Sequence, residues 1–196
     1  MKILAIIGSP RKKSNTTTLL REFVAGAESE GAEVTTITPH KMKIGPCLAC
    51  DGCYKTGRCI IKDDFQAQYD AVMECDALVL ATPIYFGAVT AQIKPFIDRF
   101  QCFWARRDIT KDPMPPGPAG KPRKGVLISV GGIDKPIMFA GAHTSFDFVM
   151  RSLEGEFWAE LNYGGFDEQG AILENPDALA RARELGRRLA LGLDAE

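Results

Sequence analysis

The sequence predicts an α/β chain: a flavodoxin-like, doubly wound, five-stranded parallel sheet of strand order 2-1-3-4-5 inside a three-layer α/β/α sandwich. Three observations predict it. Short apolar runs rich in β-branched residues alternate with helical patterns along the chain. The first run empties directly into a loop of hydroxyl and amide side chains. The length of 196 residues suits a single domain, 1–196, with room for an inserted four-cysteine loop at 45–60 and a proline-rich loop at 108–122.

The strands are expected at 3–7, 34–37, 78–80 and 126–130, with a weaker one at 157–163. Between and after them, helices are expected at 16–26, 65–73, 89–103, 140–153 and 176–191. The last opens with Asn175 as cap and Pro176 at the first helical position, where the missing proline N–H costs nothing. Strands that alternate with helices build a parallel sheet, because each right-handed crossover lays its helix over one face. Five such units favour the flavodoxin-like order over a six-stranded dinucleotide fold. The segment 108–122 breaks the rhythm, since prolines at 113, 115, 116 and 118 cannot sit inside regular structure.

With 24 basic and 25 acidic residues the formal charge is −1, so no global field draws the chain to nucleic acid or to an anionic membrane. No apolar run approaches the roughly 20 residues of a membrane span. Met1-Lys2 leads straight into a run too short for a signal sequence, so a cytoplasmic location is expected. Four of the six cysteines, Cys47, Cys50, Cys53 and Cys59, share one segment, which in a reducing compartment favours metal or cluster ligation over disulfides.

Ligands of a doubly wound sheet bind beyond the carboxyl ends of its strands. After the first strand come Gly8-Ser9-Pro10-Arg11-Lys12-Lys13-Ser14-Asn15-Thr16-Thr17-Thr18. Hydroxyls and an amide crowd a helix start, where unpaired N–H groups and the dipole favour an anion. With no G-x-G-x-x-G and no Walker lysine, a monophosphate is the better fit, which points to FMN over FAD or NAD. Ser9, Arg11, Ser14, Asn15, Thr16 and Thr17 are the candidate phosphate ligands. Plain helix capping by Ser14 or Asn15 is the competing use of the same residues. After the third strand, Pro83, Ile84, Tyr85, Phe86 and Gly87 offer flat apolar surface and backbone donors to an isoalloxazine ring. Gly131 and Gly132, after the fourth, are placed to close over its far side or else form an ordinary turn.

The cysteine segment reads C-x2-C-x2-C-x5-C. A compact run of this kind lets one loop wrap three corners of a cubane cluster, with Cys59 taking the fourth iron. A structural zinc site and thiols that merely pack are the rival readings. Cys75 and Cys102 lie among apolar neighbours and are expected as buried small hydrophobes, while His40 and His143 are isolated. Arg99, Arg106 and Arg107 are expected on a solvated face.

Gly8-Ser9-Pro10-Arg11 with Ser14-Asn15-Thr16 resembles the phosphate loop of the NADPH-dependent FMN reductase family. Pro83-Ile84-Tyr85-Phe86-Gly87 followed by Ala91-Gln92-Ile93-Lys94-Pro95-Phe96-Ile97-Asp98-Arg99 resembles a hallmark of the same family. The cysteine spacing resembles its iron-sulfur flavoprotein branch, which implies a [4Fe-4S] cluster on Cys47, Cys50, Cys53 and Cys59. The resemblance covers residues 1 to about 100. It implies an FMN-dependent electron-transfer flavoprotein that takes electrons from a ferredoxin-like donor and passes them to oxygen, peroxide or a quinone. The enzyme alternative is an NAD(P)H-dependent FMN or quinone reductase whose cysteines hold no cluster. A metal-binding interaction module would leave both flavin-facing loops unexplained. Phe100, Phe103, Trp104 and the proline-rich segment, taken as surplus apolar surface, lead to the expectation of a homodimer or homotetramer.

Overall fold

The computed structural model describes residues 1–195. Ile3 to Ile7 carries no polar side chain, and the run becomes β1 (Lys2–Ile7), buried on both faces. The remaining strands are β2 (Glu33–Ile37), β3 (Ala77–Pro83), β4 (Lys124–Val130) and β5 (Glu156–Tyr163). All pairings are parallel, in the order β2-β1-β3-β4-β5. Ile3 lies between Val34 and Ala77, and Ala81 opposite Ile7 on one side and Ile128 on the other.

Alternation along the strands divides the core. Leu4, Ile6, Leu78, Leu80 and Leu127 face one layer, built from α2 (Phe65–Glu74), α3 (Lys94–Asp98), α4 (Gln101–Asp108) and α5 (Ile137–Ser152). Ile3, Ala5, Val79, Val126 and Ile128 face the other, built from α1 (Asn15–Ser29) and α6 (Pro176–Leu191). Those two helices pack with almost no space between their backbones. A methyl group on Gly26 would strike the Arg183 carbonyl, and one on Gly186 the Phe23 carbonyl.

The continuous helix expected at 89–103 is instead two short helices. Pro95 has no N–H to give to Ala91, so regular helix begins only at Lys94, with Pro95 in its first turn. Thr90 meanwhile donates its hydroxyl to the Gly8 carbonyl at 2.7 Å, which holds the chain back toward β1. Between α3 and α4 the bonding tightens to i−3, with Arg99 N–H to Phe96 O and Phe100 N–H to Ile97 O. Of the other helices, α6 keeps its expected bounds, α1 and α2 run one to three residues longer at their ends, and α5 starts three residues earlier and ends one sooner.

The surplus apolar surface expected around Phe100 and Phe103 is not there, because both rings are core residues. Trp104 leans on the Tyr54 ring with centroids 6.0 Å apart. The proline-rich segment is fastened down. Buried Arg123 donates to the Pro115 carbonyl at 2.7 Å and to the Met73 carbonyl at 2.6 Å, and Asp76 accepts from Ala119 N–H at 2.6 Å. Arg99, expected on a solvated face, is buried. Cys75 and Cys102 are buried as expected, and burial pushes their thiols up to about 11 and about 12. Among the described residues no helix is long and apolar enough to cross a membrane.

The α1–α6 contact makes Gly186→Ala the sharpest test of the packing. Overpacking of this kind costs about 1–3 kcal/mol, so the urea midpoint should fall by that equivalent, whereas Gly31→Ala, with nothing near its Cβ position, should act only through its left-handed backbone.

Candidate functional site

The strand order reverses direction between β1 and β3, and there the loops that follow the two strands part to leave a crevice. Gly8 N–H bonds the Ala81 carbonyl at 2.7 Å, and Thr90 ties the same glycine to the segment after β3. A slot of about 70 Å³ opens above this junction. Ser9, Arg11, Ser14, Asn15 and Thr16 line it from the first loop. Pro83, Ile84 and Tyr85 line it from the third strand, and Gly131 and Gly132 from the fourth.

The first-loop residues divide by what their side chains already do. Ser14 is the cap of α1: its Oγ accepts the Thr17 N–H at 3.1 Å and meets the Thr17 hydroxyl at 2.8 Å. Thr17 therefore stands behind the slot rather than on it. Asn15 donates to the Phe166 and Glu168 carbonyls at 3.0 and 2.9 Å, and its Oδ1 accepts from Gly170 and Ile172 N–H. Its amide is fully used in binding the 166–172 segment to the start of α1. What remains for a ligand is the backbone N–H groups of the first helical turn, the Ser9 hydroxyl and the exposed guanidinium of Arg11.

The loop after β3 is a tight reversal. Tyr85 and Ala88 exchange both backbone hydrogen bonds at 3.1 Å, and the two residues between them are left-handed, Phe86 at φ 51° and Gly87 at φ 73°. Positive φ at both central positions is the type I′ geometry, which glycine adopts freely and phenylalanine only at a cost. The Phe86 ring points wholly into solvent. From behind, α5 presses so closely that a methyl group on Gly141 would collide with the Gly87 carbonyl. Neither Phe86 nor Gly87 reaches the slot itself; both lie at its outer edge in sequence.

Sequence reasoning missed Phe166, Asp167 and Gln169, which complete the slot, together with Thr90 and Gly141. The 166–169 segment belongs to no motif; the Asn15 bonds hold it, and so does Phe166 N–H, which donates to the Gly131 carbonyl at 3.1 Å. A larger cavity of about 500 Å³ lies between α4 and α5, but its charged residues are already paired within their own helices, Lys94 with Asp98, Arg107 with Asp108 and Arg151 with Asp147.

The cysteine loop forms a second site. All four of Cys47, Cys50, Cys53 and Cys59 line one cavity of about 380 Å³, against Arg99 and Cys102. Burial pushes the Cys53 thiol up, and the sulfurs of Cys59, Cys47 and Cys50 push it further, so the four lie within electrostatic reach of one another. Ala49 at φ 49° and Asp51 at φ 54° bracket Cys50 in left-handed backbone, which costs energy in non-glycine residues. Among the described residues, no three or more Cys, His, Asp or Glu side chains are drawn into a ready-made ligating geometry.

The base of this loop is closed by a buried ion pair. The Arg99 side chain is fully buried and Asp63 nearly so, with contacts of 2.7 and 3.1 Å between their forks. Asp63 also accepts Gly45 and Phe65 N–H, each at 3.1 Å. Gln66 holds the Cys59 and Ile61 carbonyls at 2.7 and 2.8 Å. Burial works to raise the Asp63 carboxyl, but Arg99 and the two backbone donors outweigh it and hold the group below its ordinary value.

A parallel sheet with an anion-suited helix start at its switch point, flanked by an aromatic turn, defines a flavodoxin-like mononucleotide-binding protein. The sequence matches the family model for NADPH-dependent FMN reductases over residues 1–144. The chain belongs to that family, a family of flavin-dependent oxidoreductases, and to its iron-sulfur flavoprotein branch. An iron-sulfur flavoprotein of Archaeoglobus fulgidus is 31% identical over 197 residues, covering 100% of this chain and 82% of the relative. One from Methanocaldococcus jannaschii is 39% identical over 99 residues, 50% of this chain and 51% of the relative, so the match spans about half of that protein's length. Among solved structures, a flavone reductase superposes with a TM-score of 0.67 at 25% identity, covering 98% of this chain and 62% of that one.

The Asp63–Arg99 pair generates a pH prediction. Because the native carboxyl titrates below its ordinary value, its stabilisation is complete above the ordinary carboxylate range and is lost as pH falls through the lowered native value. Asp63→Asn leaves a buried guanidinium without its counter-charge, so at neutral pH it should cost about 3 kcal/mol. In urea unfolding the gap between wild type and variant should narrow as the solution is acidified.

Proposed function

We propose that this chain is an FMN-dependent electron-transfer flavoprotein whose four clustered cysteines hold a [4Fe-4S] cluster. The observation that supports it most is the pairing of two sites on one scaffold: a phosphate-sized slot at the β1/β3 switch, and four thiols on one cavity beside the helices that follow β3. In this reading Ser9, Arg11 and the N–H groups of Asn15 and Thr16 hold the FMN phosphate, while Ser14, Thr17 and the Asn15 amide keep that turn in shape. The slot accommodates the phosphate, and the ring lies across its mouth against Pro83, Ile84, Tyr85, Phe86 and Gly87, with Gly131 and Gly132 opposite. Asp167, acidic and on the slot wall, is suited to accept hydrogen bonds from ribityl hydroxyls rather than to meet the phosphate.

Soft thiolates in a C-x2-C-x2-C-x5-C run are a donor set for iron and sulfide. When bound, the cluster supplies one-electron steps and FMN a two-electron store. The protein's own part is to bind, orient and set potentials, and no acid–base dyad is needed for that. The donor in this reading is a ferredoxin-like protein and the acceptor a small molecule such as oxygen, peroxide or a quinone. A second reading, direct reduction of FMN by NAD(P)H with the cysteines free of metal, draws support from the match to the NADPH-dependent FMN reductase family. The dimer or tetramer is retained on new grounds, the exposed apolar side chains of Phe86, Ile137 and Phe148.

Flavin released by heat from the purified protein should be FMN; recovery of FAD, or no flavin uptake on reconstitution, sinks the proposal. Arg11→Ala removes a phosphate charge and should weaken FMN binding by about 10-fold, the effect of one charge-assisted bond of about 1.5 kcal/mol. Cys50→Ala, prepared without oxygen, should lose iron and sulfide while keeping its flavin. Electron delivery from ferredoxin should then fail although dithionite still reduces the FMN. If wild type carries no iron and reacts with NADPH, the second reading replaces the first. Sedimentation that shows monomer alone at micromolar concentration removes the oligomer.

A further inference from the structure

The guanidinium of Arg99 has five N–H bonds, and every one is used. Two go to the Asp63 carboxylate, one to the Gly45 carbonyl at 3.1 Å and one to the Ile61 carbonyl at 3.5 Å. The fifth, from Nε, goes to Cys59 Sγ at 3.2 Å. Gly45 precedes the first cysteine of the loop and Ile61 follows the last, so one side chain spans both ends of the segment. The Phe65 ring lies under the guanidinium with its centroid 4.7 Å away.

The pair is also oriented. Asp63 turns toward the Gly45 and Phe65 N–H groups, while the guanidinium edge is what reaches the sulfur. The ion pair therefore presents its positive end to Cys59 even though its net charge is zero. Clamping the loop alone does not require that arrangement, because the carbonyl and carboxylate bonds already do it.

Resting on the reading that the four thiols hold an iron-sulfur cluster, we propose that Arg99 is a positioning residue that sets the cluster's reduction potential by donating a charge-assisted hydrogen bond to Cys59. One added electron places more negative charge on the ligating sulfurs, with no covalent bond made or broken, so a cationic donor at Cys59 favours the reduced state. The bond also singles out Cys59 among the four as the corner fixed from outside its own loop. No signal in the cysteine spacing predicts this, since the donor lies 40 residues downstream of Cys59.

The test compares wild type with Arg99→Gln, Arg99→Lys and Asp63→Asn, each reconstituted anaerobically with ferrous iron and sulfide. Iron and sulfide are assayed first. The cluster potential is then followed by electron paramagnetic resonance, with the FMN potential as internal reference and amide exchange at Gly45 as a measure of loop closure. Arg99→Gln should disfavour cluster reduction by at least tenfold, about 59 mV for a one-electron couple. Arg99→Lys should shift it the same way by less, and Asp63→Asn, which leaves the guanidinium uncompensated, should shift it upward. A merely structural clasp predicts faster exchange at Gly45 in all three variants with potential shifts of one sign, or none; that result overturns the proposal, as does an equal shift of the FMN potential. If Arg99→Gln fails to fold or to load, Asp63→Asn decides: an upward shift supports the proposal, and no shift or a downward one overturns it. Wild type without iron overturns the cluster reading, and this inference with it, before any potential is measured.

Discussion

Because two parallel strands cannot be closed by a short hairpin, each pairing in this sheet demands a crossover that returns the chain to the same end. That constraint places the carboxyl ends of β1, β3 and β4 along one edge and delivers the loops after them to one place. At the switch point the loops diverge, since the chain leaves β1 toward one helical layer and β3 toward the other. The slot is the space so created. Gly8, bonded to Ala81 and Thr90, marks where the two loops are nearest.

The two sites meet opposite electrostatic requirements. The slot at the β1/β3 switch keeps donors without committed partners, the backbone N–H groups at a helix start, while the nearby side chains of Ser14, Asn15 and Thr17 are spent on holding that turn. At the partly buried cysteine loop a cation arrives from the segment between α3 and α4 rather than from the loop, as Arg99 on Cys59 and Asp63. Among the described residues five non-glycine residues hold left-handed backbone: Phe86 at one site, Ala49 and Asp51 at the other, and Lys111 and Glu154 at neither. Such positions persist only where the surroundings over-determine them. At Phe86 the exchanged Tyr85–Ala88 bonds supply that constraint.

The proline-rich segment shows a different use of buried charge. Arg123 reaches backbone carbonyls on either side, at Pro115 and Met73, and holds an irregular stretch whose prolines cannot bond into a sheet or helix. The chain thus uses buried arginines twice to secure segments that lie outside its regular elements, once at each excursion from the α/β rhythm.

By itself the sequence determined what depends on local pattern. Apolar runs and helical spacing dictated the five parallel strands, the hydroxyl-rich helix start fell on the crevice at the switch point, and the four closely spaced cysteines fell on one cavity. These signals are legible because neighbours in sequence carry them. Pro95, visible in the sequence, already accounts for the late start of the helix expected at 89–103; only the tertiary structure added the Thr90 bond to Gly8 that holds the preceding segment toward β1. It likewise decided that Asn15 binds the 166–172 segment, that Phe100 and Phe103 are core and not surface, and that Arg99 is buried against Cys59 and Asp63. Each is a contact between residues far apart in the chain, where an arginine or an asparagine looks the same in sequence whether it faces water or closes a site. Burial and partnership are properties of the packed layers, and no local pattern encodes them.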